Sequence, residues 1–193
     1  MNRLVGISHF TLNWDQNEWL MNKFLPLLFI SFFSVIGRGT AQDSITVYLF
    51  LHDECVISQN YTALLNRLHQ EYGKEVTFVG LFPNFASKPN KIEAFRQKYH
   101  IAFPLKTDYY KTITKAMGAT VTPEVVIYNH TFDQKLYQGR IDDTYFRVGK
   151  RRTITTTSEL EDALRAIHRG EPISISETKA VGCFINLREM NRS

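Results

Sequence analysis

The stretch Ile45-Thr46-Val47-Tyr48-Leu49-Phe50-Leu51-His52-Asp53-Glu54-Cys55-Val56-Ile57-Ser58 changes periodicity in its middle. Its first seven residues are β-branched, aromatic or leucine, with Thr46 the one polar member, which is the composition of a buried strand. From Val56 onward the apolar positions adopt helical spacing, with Tyr61, Leu64, Leu65, Leu68 and Tyr72 on one face. Gly73 then closes the predicted helix. Cys55 thus stands where a strand runs into a helix N-terminus. A thiol there faces unpaired N–H groups and the positive end of the helix dipole, and both favour the thiolate.

Working outward, residues 76–82 form a near-continuous apolar run ended by Pro83, as expected of a buried parallel strand. A second helix is expected over 91–99, burying Ile92, Phe95 and Tyr99, and is followed by a short extended stretch at 103–105. A third is expected over 109–117, stopped by Gly118. Thr122-Pro123 then precedes two strands, 124–128 and 135–139, separated by a polar joint of hairpin length. Ser158 and Glu161 have the spacing of a capping box, so a last helix is expected from Ser158 to Gly170. The order predicts an α/β fold: a mixed central sheet with helices on both faces.

Composition sets bounds on function. The chain is 44% apolar and 22% charged, with a net charge of +4, which is too mild a basic excess to imply a nucleic-acid partner. Its one basic cluster, Gly149-Lys150-Arg151-Arg152, reads as a solvated loop. There is no glycine-rich phosphate loop, Ser-His-Asp arrangement or nucleotide fingerprint, and no cofactor is expected.

Residues 21–41 have the pattern of a signal peptide. Met21-Asn22-Lys23 is a short basic start, residues 24–36 are uncharged and largely apolar, and Gly39-Thr40-Ala41 supplies small residues for cleavage. The apolar run is too short to span a bilayer comfortably, so membrane contact is expected only in transit. An uncleaved anchor is the competing reading. Residues 1–20 fit no part of a signal: they are an upstream extension, either preceding a biological start at Met21 or forming a cytoplasmic segment. Export places both cysteines, Cys55 and Cys183, in an oxidising compartment, periplasmic or extracellular, where one disulfide is permitted.

The chain resembles redoxin-type members of the thioredoxin superfamily. The residues that carry the likeness are Phe50 to Ser58, Val79-Gly80-Leu81-Phe82-Pro83, Thr122-Pro123-Glu124-Val125 and Gly139-Arg140-Ile141-Asp142-Asp143. From Lys150 to Cys183 it also resembles exported bacterial proteins named by similarity to alkyl hydroperoxide reductase and thiol-specific antioxidant proteins. The resemblance implies a thioredoxin-like domain over 42–170 with one extra helix before the proline loop, and a tail over 171–193 carrying Cys183. It further implies a cis Thr122-Pro123 peptide whose backbone lies beside Cys55 and pairs with an extended partner peptide; an ordinary trans proline heading an edge strand is the alternative.

Departures from the family pattern shape the expected chemistry. Ser58 stands where a dithiol thioredoxin keeps its second cysteine, so no local resolving thiol exists. His52 stands where a typical peroxiredoxin has Thr or Ser, and Thr122-Pro123 replaces its active-site arginine, leaving Arg140 as the nearest downstream one. Cys55 is either an attacking thiolate or a buried small hydrophobe. Asp53 and Glu54 oppose the thiolate, and a protonated His52 offsets them. Cys183 is a resolving thiol, half of a static disulfide, or a free tail thiol. Arg140, Asp142 and Asp143 read as a surface ion cluster or as an electrostatic partner of the site. His52, His69 and Cys55 contain metal-donor types, but the paired cysteines of copper-delivery proteins on this fold are missing, and no metal is expected.

Three functions follow in order. The first is an exported thiol-disulfide oxidoreductase with Cys55 as nucleophile, Cys183 as resolving thiol, Thr122 and Pro123 positioning the partner, and His52, Ser58 and Arg140 modulating the site. Its partners are protein disulfides or thiols. The second is a peroxiredoxin-like thiol peroxidase acting on peroxide. The third is a non-catalytic module that binds copper or a partner protein.

Overall fold

The computed structural model describes residues 44–187. The expected extension at 1–20 and signal segment at 21–41 lie outside the described residues. Strand β1 (Ile45–Phe50), helix α1 (Val56–Tyr72) and strand β2 (Thr77–Phe82) form a β-α-β unit with parallel strands, Val47 opposite Phe78. Helix α2 (Pro89–Tyr99) leads to β3 (Leu105–Thr107), which adds to β2 in parallel. Helix α3 (Thr112–Met117) and the two-residue β4 (Val121–Thr122) precede β5 (Glu124–Asn129) and β6 (Gln134–Gly139). Strand β5 runs antiparallel to both β1 and β6, giving the sheet order β3-β2-β1-β5-β6. A short hairpin of β7 (Tyr145–Arg147) and β8 (Lys150–Arg151), helix α4 (Glu159–Arg169) and β9 (Cys183–Phe184) complete the fold.

Strand β1 lies at the centre of the sheet with both faces covered, which is why it reads as a run rather than an alternation. Val47 and Leu49, with Leu51 just beyond the strand, pack among Tyr61, Leu65 and Leu68 of α1, Ile92 and Phe95 of α2, and Leu160 and Leu164 of α4. Phe50 faces the other way, into a smaller cluster with Val79, Leu81, Ala119 and Val126. That second face is closed by Ile113 and Met117 around α3 and by Ile185 from the tail. The tail therefore completes a layer of the core.

Local signals set the helix ends, with three departures. Helix α2 begins two residues earlier than its apolar spacing indicates, because Pro89 occupies its first turn, where a missing N–H is harmless. Helix α3 begins later than expected: Asp108 accepts hydrogen bonds from the Thr114 N–H (2.7 Å) and hydroxyl (2.6 Å), turning 109–111 into a lead-in. The capping box at Ser158 does not form, although Ser158 is the cap residue of α4. Glu161 is drawn instead to Arg67 of α1, at 2.6 Å, so an interhelical ion pair replaces a local cap. The extended stretch after α2 is a true edge strand, displaced to 105–107 by its register with β2.

Candidate functional site

Strand β1 delivers the chain to the helix through one tight turn. The Leu51 N–H donates to Leu81, and the Cys55 N–H donates to the His52 carbonyl at 3.1 Å. Ser58, fully buried in the first turn of α1, accepts a hydrogen bond from the His52 N–H at 3.3 Å. Ser58 thus pins the turn that presents Cys55. Cys55 caps α1 with extended backbone and makes no side-chain capping bond, so its sulfur is free to point elsewhere.

Cys55 is only 3% exposed, and its sulfur lies between two partners. Its S–H donates to the Thr122 carbonyl at 3.4 Å, and the Cys183 S–H donates to it at 3.1 Å. The Thr122-Pro123 peptide is cis. Cys183 arrives on β9, which pairs antiparallel with β4 so that Thr122 stands opposite Cys183 and Val121 opposite Phe184. The Thr122 hydroxyl donates to the Cys183 carbonyl at 3.4 Å, and the Ile185 N–H donates to Thr120 at 2.9 Å. Gly182 permits this approach: a Cβ there would lie 2.1 Å from the Thr122 carbonyl oxygen. Four of the expected site residues, Cys55, Thr122, Pro123 and Cys183, are therefore brought together across a separation of 128 residues.

The two thiols have unequal surroundings. Cys183 is exposed as a residue, but its sulfur is turned in onto Cys55. Burial of that sulfur, then its hydrogen bond to Cys55 and the Cys55 charge, push the Cys183 thiol up to about 11. Cys183 thus keeps its proton, and its S–H is directed onto the Cys55 sulfur.

The flanking acids are engaged. Asp53 accepts from the Ser87 hydroxyl, and Glu54 pairs with Lys91 at 2.7 Å. The His52 ring accepts the Glu54 N–H at 3.0 Å through Nδ1. His52 also lines a cavity of about 150 Å³ with Phe85, Lys111, Thr122 and Phe184. Among the described residues no group of three or more metal-binding side chains forms, and His69 packs on Phe78 and Phe103.

The structure does not turn Arg140 toward the thiols. Its guanidinium binds Glu159, with Nε at 2.9 Å, at the start of α4. Nor do Asp142 and Asp143 form a surface ion cluster with it: both are buried. Asp142 accepts from the Tyr61 hydroxyl and from the Thr144 N–H at 2.8 Å. Asp143 binds the hydroxyl and N–H of Thr156, which hold its carboxyl down at about 2. These acids tie the loop before α4 to the core, because a buried carboxylate needs several donors.

Glu124, which the sequence reading passes over as a site residue, organises the proline loop. It is 5% exposed. Its Oε2 accepts the N–H groups of Thr120 (2.8 Å) and Val121 (3.2 Å), and its Oε1 accepts from Gln138 Nε2 at 2.8 Å. The backbone of Gln138 binds Ser176 and Thr178, both at 2.9 Å, at the root of the tail. Glu124 and Gln138 thus join the strand carrying Thr122 to the segment carrying Cys183. The signal in the sequence is a carboxylate heading the apolar run Val125-Val126-Ile127, where a charge is tolerated only with donors at hand. Glu124→Ala is expected to lower stability by about 2–4 kcal/mol in chemical denaturation, since it strands buried donors; Glu124→Gln, which retains an acceptor, is expected to lose less.

A β-α-β unit, an antiparallel closing hairpin, and a cis-proline loop set against a cysteine at a helix N-terminus define a thioredoxin-like protein. The fold is that of the thioredoxin-like superfamily. No model of a known protein family matches the sequence, and no curated protein sequence does. Among solved structures the chain is similar to an uncharacterized conserved protein from Geobacillus kaustophilus, with 26% identity, a TM-score of 0.65, and coverage of 76% of this chain and 78% of that one. It is also similar to a hypothetical protein from Sinorhizobium meliloti, with 21% identity, a TM-score of 0.66, and coverage of 78% and 82%. StoA from Bacillus subtilis aligns with 12% identity over 65% of this chain and 84% of that one, at a TM-score of 0.47.

Proposed function

We propose that this protein is a thiol-disulfide oxidoreductase of redoxin type, with Cys55 as nucleophile and Cys183 as its resolving thiol. The observation that carries the reading is the 3.1 Å approach of the two sulfurs beside the cis-proline loop. The Cys55 thiolate attacks one sulfur of a partner disulfide; that S–S bond breaks, and the other partner sulfur leaves as a thiolate and takes up a proton. Cys55 is then in a mixed disulfide and bears no negative charge. Two of the causes that hold the Cys183 proton, the hydrogen bond to Cys55 and the Cys55 charge, are thereby removed. Cys183 loses its proton and attacks the Cys55 sulfur; the second partner thiol is released, and a Cys55–Cys183 disulfide remains. The same steps reversed oxidise a partner dithiol, and the reduction potential sets the direction.

The composition of residues 21–41 supports export to a periplasmic or extracellular setting, where protein thiols and disulfides are the substrates. Among the described residues no helix is long and apolar enough to cross a membrane. The peroxidase reading gains no support from Arg140, whose guanidinium is held by Glu159.

Titration of the protein in redox buffers of defined potential, followed by thiol labelling and mass spectrometry, is expected to show one two-electron transition joining Cys55 to Cys183. Two thiols that stay free at every potential would refute the pairing. Formation of a sulfenic acid at low micromolar peroxide, faster than disulfide exchange, would favour the peroxidase.

A further inference from the structure

We propose that β9 is the protein's own occupant of the position a partner strand takes, and that the preferred partner is an extended segment of the pattern Gly-Cys-x-apolar. The inference rests on the reading of Cys55 as the exchanging thiol. It goes beyond that reading by assigning the sequence of the partner and the means of its entry.

The tail is a worked example of an occupant. Its register on β4 sets the cysteine opposite Thr122 and its sulfur on Cys55. Each neighbouring position meets a different constraint. Before the cysteine, the Gly182 backbone lies so close to the Thr122 carbonyl that any Cβ on the same track would collide with main chain rather than with a flexible side chain. After the cysteine, Phe184 is 91% exposed at the rim of the cavity that His52 and Phe85 line, so that position is open to many side chains. Two residues after it, Ile185 packs against the cluster of Phe50, Val79, Leu81, Ala119 and Val126, while its N–H binds Thr120. The track therefore specifies glycine, then cysteine, then a free position, then an apolar side chain.

The hold on β9 is suited to replacement. Its ladder is two residues long, and both residues are exposed. The tail is anchored separately at its root, where Ser176 and Thr178 bind Gln138 and the Thr178 hydroxyl meets Tyr137 at 2.8 Å. A partner strand would form the same hydrogen bonds to Thr120 and Thr122, so the exchange is nearly balanced in bonding. The tail holds only the advantage of being tethered. In the oxidised protein the partner thiolate attacks the Cys55 sulfur; the bond to Cys183 breaks, and Cys183 leaves with the electron pair and takes a proton. The partner is then joined to Cys55, and the tail strand is free to leave β4.

The test uses the full chain carrying Cys183→Ser, which keeps the tail but removes its competing thiol. Three probes are mixed with it: a small aromatic disulfide, and two otherwise identical peptides activated at cysteine with a chromophoric thiol, one containing Gly-Cys-Phe-Ile and the other Val-Cys-Phe-Asp. The first peptide is expected to react at least about tenfold faster than the second, from the lost apolar contact and the Cβ collision. Adding Gly182→Val, or Ile185→Asp as an independent way to weaken the tail, is expected to speed the first peptide at least about tenfold. Equal rates for the two peptides, or no gain from either tail substitution, overturns the inference while reaction with the small disulfide leaves the exchange reading standing. If Cys55 is inert to the small disulfide as well, the exchange reading itself fails.

Discussion

Cys55→Ser is expected to abolish the fast phase of disulfide exchange and, in the same protein, to make Cys183 more reactive. The loss is complete in kind, because a serine hydroxyl forms no sulfur–sulfur bond; residual slow reaction belongs to Cys183. The gain follows from the causes that hold the Cys183 proton. Burial is the largest and stays, whereas the Cys55 charge is removed and a neutral hydroxyl, able to donate to a Cys183 thiolate, takes the place of the Cys55 sulfur. The sign is therefore a fall from about 11 toward the ordinary thiol range, with more thiolate at any pH below that value. In the unsubstituted protein the raised thiol keeps Cys183 almost wholly protonated at pH 8, and Cys55→Ser is expected to recover part of its thiolate. Iodoacetamide labelling across pH, read by peptide mass, measures both effects. Unchanged exchange in Cys55→Ser would transfer the role of nucleophile to Cys183 and reverse the order of the two thiols.

Cys183→Ser is expected to convert turnover into trapping. The first step, attack by Cys55, remains available, but no internal thiol resolves the mixed disulfide, so covalent partner adducts accumulate on non-reducing gels and dissolve in reductant. The same substitution removes a redox-dependent contribution to stability. A bond across 128 residues closes a long loop in the unfolded chain, worth about 5 kcal/mol in the chain-entropy account. The oxidised protein is thus expected to melt about 10–20 °C above its reduced form, and Cys183→Ser to eliminate that difference. Equal melting temperatures for both redox states of the unsubstituted protein would show that the bridge does not form.

The fold was legible in the sequence wherever one element carries its own signal. The run from Ile45 to Leu51 is apolar because β1 is covered on both faces, and the helical spacing from Tyr61 to Tyr72 marks the side of α1 that meets the sheet. Thr122-Pro123 marked the loop before β5. The same logic failed where a partner from another element outcompetes a neighbour in sequence. Ser158 and Glu161 have the spacing of a capping box, yet Glu161 bonds Arg67, 94 residues away. Arg140, Asp142 and Asp143 stand together in the chain, but they serve separate anchors: Glu159, Tyr61 and Thr156.

By itself the sequence determined a thiol at a strand-to-helix junction, a proline loop ahead of an apolar strand, and the absence of a second cysteine at Ser58. These are properties of spacing within one element, and spacing is what residue order encodes. Only the tertiary structure decided that Cys183 meets Cys55, that Glu124 and Gln138 clasp the proline loop to the root of the tail, and that β9 fills the edge of β4. Those meetings depend on how the sheet folds back and on a Gly182 backbone that fits against Thr122, which no local periodicity records.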